Sequence, residues 1–154
     1  MGQNADIATF EITNTELASL SKSAITLWPP DPPDRDGCGV LLAGFPGAGV
    51  VQSGKRTYGF GTYAASTVAQ RVTDRQLTCA LEWENISSSG RAGNLPPHNY
   101  DTGGMSGGPM LAIRERSGFW SFPVAGVISE GRAEDEKIIA ERADNIRSDG
   151  SIRG

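Results

Sequence analysis

The sequence predicts an all-β domain, a six-stranded antiparallel barrel closed off by one C-terminal helix. Three observations lead there. Twenty glycines and nine prolines interrupt 154 residues, too often for a helical bundle, because both residue types break helices and mark turns. Between them lie short apolar runs of strand length, several alternating with period two. A helical period is found in one stretch alone, near the C-terminus. Apolar residues make up 38% of the chain and charged residues 21%, the balance of an ordinary globular protein rather than a disordered one. The length suits one domain with a real core, and with no internal repeat residues 1–154 are taken as a single unit.

The elements follow in order. DIATFEIT, from Asp6 to Thr13, puts Ile7, Thr9 and Glu11 on one side and Ala8, Phe10 and Ile12 on the other, which reads as a strand. A strand so near the terminus implies that something belongs in front of it, since a terminal edge frays. SAITLW, from Ser23 to Trp28, reads as a second short strand. It ends at PPDPPDRDG, a surface loop whose prolines cannot donate to a ladder. CGVLLAGFPG, starting at Cys38, is a near-continuous apolar run and so a buried strand. KRTYGFGTYAASTVAQRVT and QLTCALEWENI then alternate as paired strands, with Leu77, Cys79, Leu81 and Trp83 sharing a face. Residues 87–104 form a long polar loop, of the kind that tends to carry function. PMLAI and FPVAGVIS are two further strands around a turn at Arg116–Gly118. In EDEKIIAERADNIR, Ile139, Ala143 and Ile146 fall at i, i+4 and i+7, acids lead and Arg147 trails, which predicts the terminal helix.

Composition also excludes function classes. A net charge of −4 disfavours nucleic acid as the main partner. No apolar run approaches the roughly 18 residues of a membrane span, so no membrane role is expected. The segment after Met1 lacks the basic start and apolar stretch of a secretory signal, which places the chain as written inside the cell. Cys38 and Cys79 read as two thiols rather than a bridge, because small disulfide frameworks use more cysteines. With one histidine besides, they make no metal site, and no cofactor is expected. Trp28, Trp83 and Trp120 read as core or inter-sheet packing.

The chemistry concentrates in YDTGGMSGGPM, Tyr100 to Met110. GMSGG fits the pattern G-x-S-x-G around Ser106. In an α/β-hydrolase that serine is followed by a helix and, later, by a histidine; here a proline and an apolar strand follow, and no histidine lies beyond Ser106. The other user of the pattern is the chymotrypsin-like double barrel, with chain order His, Asp, Ser. GMSGGP resembles the nucleophile signature of trypsin-like serine peptidases, including bacterial branches with no aspartate directly before the serine. ADIATFEI resembles the family's triad-aspartate strand, and AGVISEG resembles the strand lining its substrate channel.

The resemblance spans the family's second barrel and the lead-in to it. It implies Ser106 as nucleophile and Asp6 as the carboxylate that orients a histidine. It further implies the N–H groups of Gly104 and Ser106 as the oxyanion hole, and Ser129, Glu130 and Gly131 along a bound peptide. Tyr100 and Asp101 would shape the base of the specificity pocket. There Asp101 could favour a basic side chain, or Tyr100 could fill the space. The family's histidine precedes its aspartate, on a first barrel, whereas five residues precede Asp6. The expectation is therefore an incomplete peptidase domain lacking its first barrel, inactive alone, whose partners are a peptide or protein substrate and the missing barrel. His98, flanked by Pro96 and Pro97, reads as an exposed loop residue rather than the base. Two competing readings stand: a non-catalytic β-barrel that binds a peptide or protein, and an unrelated all-β interaction domain.

Overall fold

The computed structural model describes residues 6–20, 23–24, 29–47, 50–52, 54, 58–60, 62–81, 102–132 and 135–153. The described strands are β1 (Gly39–Gly44), β2 (Val50–Gln52), β3 (Tyr58–Phe60), β4 (Tyr63–Val72), β5 (Gln76–Ala80), β6 (Pro109–Ala112), β7 (Arg114–Arg116), β8 (Phe119–Ser121), β9 (Val124–Arg132) and β10 (Lys137–Arg142). Six of them close into an antiparallel barrel in the order β1-β4-β5-β10-β9-β6, with β6 pairing back on β1. β2–β3 and β7–β8 form separate two-stranded ribbons.

Period-two patterning builds this barrel. Val40 and Leu42 of β1, Leu77 and Cys79 of β5, Met110 and Ala112 of β6, and Ile138 and Ala140 of β10 are all 0% exposed. A small barrel must be filled by its inward side chains alone, which accounts for Ala69, Ala112, Ala125 and Ala140 standing among the bulkier Leu, Ile and Met residues of the core.

The C-terminal helix is a correction. Residues predicted to be helical form β10 and then a single 3-10 turn, Ala143–Asn145. β10 is an interior strand, paired over Lys137–Glu141 with β5 and over Lys137–Arg142 with β9. The same residues support two periods. Ile139, Ala143 and Ile146 suit a helix, but Ile138 and Ala140 alternate, and two full ladders outweigh a modest helical preference.

The first segment is also corrected. Asp6–Thr13 forms no strand and is exposed but for the partly buried Ile7, with Phe10 at 87%. Alternation stabilises a strand only where one face meets a neighbour, and among the described residues none pairs with it. A short helix missed from sequence, α1 (Asn14–Ser19), follows instead. Its start is a capping box: Glu16 N–H donates to Thr13 Oγ1, and the Thr13 N–H and hydroxyl donate to Glu16. These bonds hold the Glu16 carboxyl below its ordinary pKa. Trp120, expected to pack, is 65% exposed on β8. Residues 25–28, with the second expected strand, and Trp83 lie outside the described residues.

The proline-rich loop is held by arginines. Arg114 donates to an Asp31 carboxylate oxygen (3.2 Å) and to the Pro32 carbonyl (2.9 Å). Arg142 donates to the Pro33 carbonyl (3.2 Å), the Thr73 carbonyl (3.1 Å) and Asp144 (2.8 Å). The hydrogen bond from Arg142 holds the Asp144 carboxyl below its ordinary value. A depressed folded-state pKa stabilises above the unfolded value and is lost as pH falls through the folded one. Because the Asp144 side chain is 38% exposed, screening limits the effect to about 1 kcal/mol or less. Asp144→Asn should therefore lower the denaturant midpoint slightly at neutral pH. The difference from the unsubstituted chain should vanish in acid, below the folded value.

Both cysteines are free. Ala69 N–H donates to the Cys38 carbonyl, and Ala69 stands in register with Cys79, so the cysteines are two strand spacings apart, roughly 9–10 Å. That exceeds the Cα separation that a disulfide spans. Burial pushes the Cys79 thiol up to about 12. Maleimide mass labelling should find Cys38 modified in the native chain and Cys79 only after unfolding.

Candidate active site

The loop from Thr102 to Gly108 is two consecutive tight turns. Met105 N–H donates to the Thr102 carbonyl (3.2 Å), and Gly108 N–H donates to the Met105 carbonyl (2.9 Å). The third residue of each turn has positive φ, Gly104 at 92° and Gly107 at 86°, as a type II turn requires. Ser106 occupies the second position of the second turn and is exposed.

Neighbouring strands fix the loop on two sides. Gly107 N–H donates to the Ile128 carbonyl (2.8 Å), and Ile128 N–H donates to the Gly108 carbonyl (2.9 Å), stitching it to β9. Gly47 N–H, just past β1, donates to the Gly103 carbonyl (2.7 Å). The approach is close: a Cβ on Gly104 would lie 2.8 Å from the Gly47 nitrogen, and one on Gly108 would strike the Ala43 carbonyl oxygen.

These bonds divide the loop's amides into two sets. The N–H groups of Met105, Gly107 and Gly108 are committed, whereas those of Gly104 and Ser106 donate to no acceptor among the described residues. The Ser106 hydroxyl donates to the Ser129 carbonyl (3.0 Å).

Ser129 marks a bulge. Ile139 stands opposite Glu130 and Ala140 opposite Ile128, leaving Ser129 as the extra residue. Both backbone groups of Ile128 bond toward the serine loop, and the Ser129 carbonyl faces it as well. The Ser129 hydroxyl donates the other way, to the Ile139 carbonyl (3.3 Å). Backbone groups alternate sides along a strand, so Gly131, two residues on, presents its own toward the side that Ser129 faces. β6 ends its pairing with β9 at Pro109–Val127. Gly131 has no room for a side chain, because a Cβ would come 2.5 Å from Oγ1 of the buried Thr102.

The structure thus brings together Gly104, Ser106 and Ser129, with Glu130 and Gly131 continuing along the same strand. Asp6 is not joined to them. It is exposed, and among the described residues no hydrogen bond or ion pair links it to the serine loop. Its segment is tied by Thr9 Oγ1 to the Gly150 carbonyl (2.7 Å), beyond the end of β10 where Arg142 pairs with Gly126 rather than with Gly131. Tyr100, Asp101 and His98 lie outside the described residues. Sequence reasoning missed Thr102, Met105 and the Gly44–Gly47 corner. The signal available was Met105 as the sole apolar side chain in a run of glycines. Among the described residues no group of three or more His, Cys, Asp or Glu could hold a metal. In comparisons with known proteins, the chain matches no family model, no curated protein and no solved structure.

Proposed function

We propose that Ser106 is the nucleophile of a serine peptidase site of trypsin-like type, with the Gly104 and Ser106 amides as its oxyanion hole. The observation that carries this reading is the division of the loop amides. The two N–H groups flanking Met105 donate to no acceptor among the described residues and stand next to an exposed hydroxyl, as acyl transfer needs.

In this reading a peptide lies along Ser129–Gly131. Its N–H takes over the Ser129 carbonyl, releasing the Ser106 hydroxyl. Ser106 Oγ attacks the scissile carbonyl and its proton passes to an imidazole, while the oxygen of the breaking C=O is received by the two amides. The imidazole then protonates the leaving amine, and water hydrolyses the acyl-serine. In this reading the base is not His98 but the histidine that the resemblance assigns to a first barrel, ahead of Asp6 in chain order. Asp6 as its orienting carboxylate rests on that resemblance.

A specific observation favours a second reading. The Ser106 hydroxyl is already satisfied by Ser129, an arrangement that suits a non-catalytic module binding an extended peptide. Casein digestion by the 154-residue chain, with and without free imidazole to stand in for the missing base, separates the two. Cleavage that imidazole raises supports the peptidase reading. Peptide binding without cleavage under either condition supports the module.

A further inference from the structure

We infer that Met105 is the positioning residue of the serine loop, holding in place the turns that present the Gly104 and Ser106 amides. Its catalytic consequence rests on the peptidase reading above; its structural part does not. Met105 sits between the two residues whose amides are uncommitted, and it is anchored at three points. Its N–H donates to Thr102, its carbonyl accepts from Gly108, and its side chain is 1% exposed within the barrel core. The residues beside it, Gly103, Gly104, Ser106 and Gly107, are all exposed.

The socket for that side chain is made by Gly44 at the end of β1. A Cβ on Gly44 would lie 3.2 Å from both Cβ and Cγ of Met105 and 3.3 Å from its Cα, tighter than an ordinary van der Waals contact. The space that a side chain at position 44 would need is therefore already taken by Met105. The peptide unit after Met105 carries the Ser106 N–H and is fixed by the Gly108 bond to the Met105 carbonyl, whereas the Gly104 N–H lies one unit further back, in the Gly103–Gly104 plane that Gly47 N–H holds at the Gly103 carbonyl. Met105 thus sets the first directly and the second through the turn that its own N–H closes. An apolar plug does this with no ion pair, so any unbranched apolar side chain of similar volume should serve.

The test measures amide hydrogen exchange, and fluorophosphonate labelling in the presence of free imidazole, on the full chain and on Met105→Leu, Met105→Ala and Gly44→Ala. Met105→Leu should behave as the unsubstituted chain. Met105→Ala and Gly44→Ala should speed exchange at the Gly107 and Gly108 amides by about tenfold more than at Leu77 and Cys79 in β5, because the loop opens locally. In the same two variants, labelling of Ser106 should fall by about tenfold or more, as misplacement of a reacting group does. Gly44→Ala removes no core atom, so it decides the matter if Met105→Ala fails to fold. An equal rise at loop and β5 amides in both variants overturns the inference, because Met105 would then only fill the core. A selective response of the loop amides, in a chain that takes no label in any form, upholds the positioning role and defeats the peptidase reading.

Discussion

Ser106→Ala should reduce imidazole-supported peptide hydrolysis by on the order of 10³-fold or more, to what oriented donors alone sustain. Removing Oγ eliminates the atom that forms the acyl bond, and no other hydroxyl of the loop 102–108 can replace it. The remaining hydroxyl there belongs to Thr102, which is 3% exposed. The fold should be indifferent to the change. Ser106 is exposed and its Oγ bonds a single carbonyl, that of Ser129, so stability should shift by about 0.5 kcal/mol or less. Thermal melts alongside the assay check this. An equal loss of activity and of melting temperature would mean that the substitution acted through the fold.

Gly108→Ala should be the most damaging single methyl group in the loop. The added carbon would meet the Ala43 carbonyl oxygen and would stand 2.9 Å from the Met105 carbonyl oxygen. Both are backbone atoms, the first in β1 and the second in the turn that Gly108 itself closes. Neither can swing aside as a flexible side chain can. Relief requires parting β6 from β1 near Leu42–Met110 or breaking the Gly108–Ile128 bond. The expected loss is about 3 kcal/mol, read as a lowered urea midpoint. Gly118→Ala is the control: that glycine has positive φ, which Gly108 does not, but a Cβ there would meet nothing within 4 Å. It should cost only the strain of an alanine at positive φ, about 1–2 kcal/mol.

The barrel was legible because its strands carry their own period or length. Leu77 and Cys79 alternate with polar residues in sequence as they do in burial, while Val40–Leu42 and Met110–Ala112 lie in continuous apolar runs of strand length. The closing strand was not, because Lys137–Arg142 fits either period, and its selection depends on β5 and β9 standing on either side. Non-local pairing leaves no mark in a local window. Asp6–Thr13 failed in the opposite sense, with a strand pattern and no ladder among the described residues. In the site, Ser106 and Gly104 were legible through the spacing of the glycines, which only tight turns explain. Met105 and Gly44 were not, because their relation is a contact between residues 61 apart in the sequence.

The central claim, that the loop around Ser106 is built for acyl transfer, is tested most directly by mass-spectrometric mapping of a fluorophosphonate adduct. The reagent needs a nucleophilic oxygen and an oxyanion pocket but no substrate cleft. The 154-residue chain should acquire one adduct on Ser106 when treated with imidazole, and little or none without it. Ser106→Ala should abolish the adduct. A chain that stays unmodified in both conditions would contradict the account, as would adducts scattered over exposed serines with no preference for Ser106.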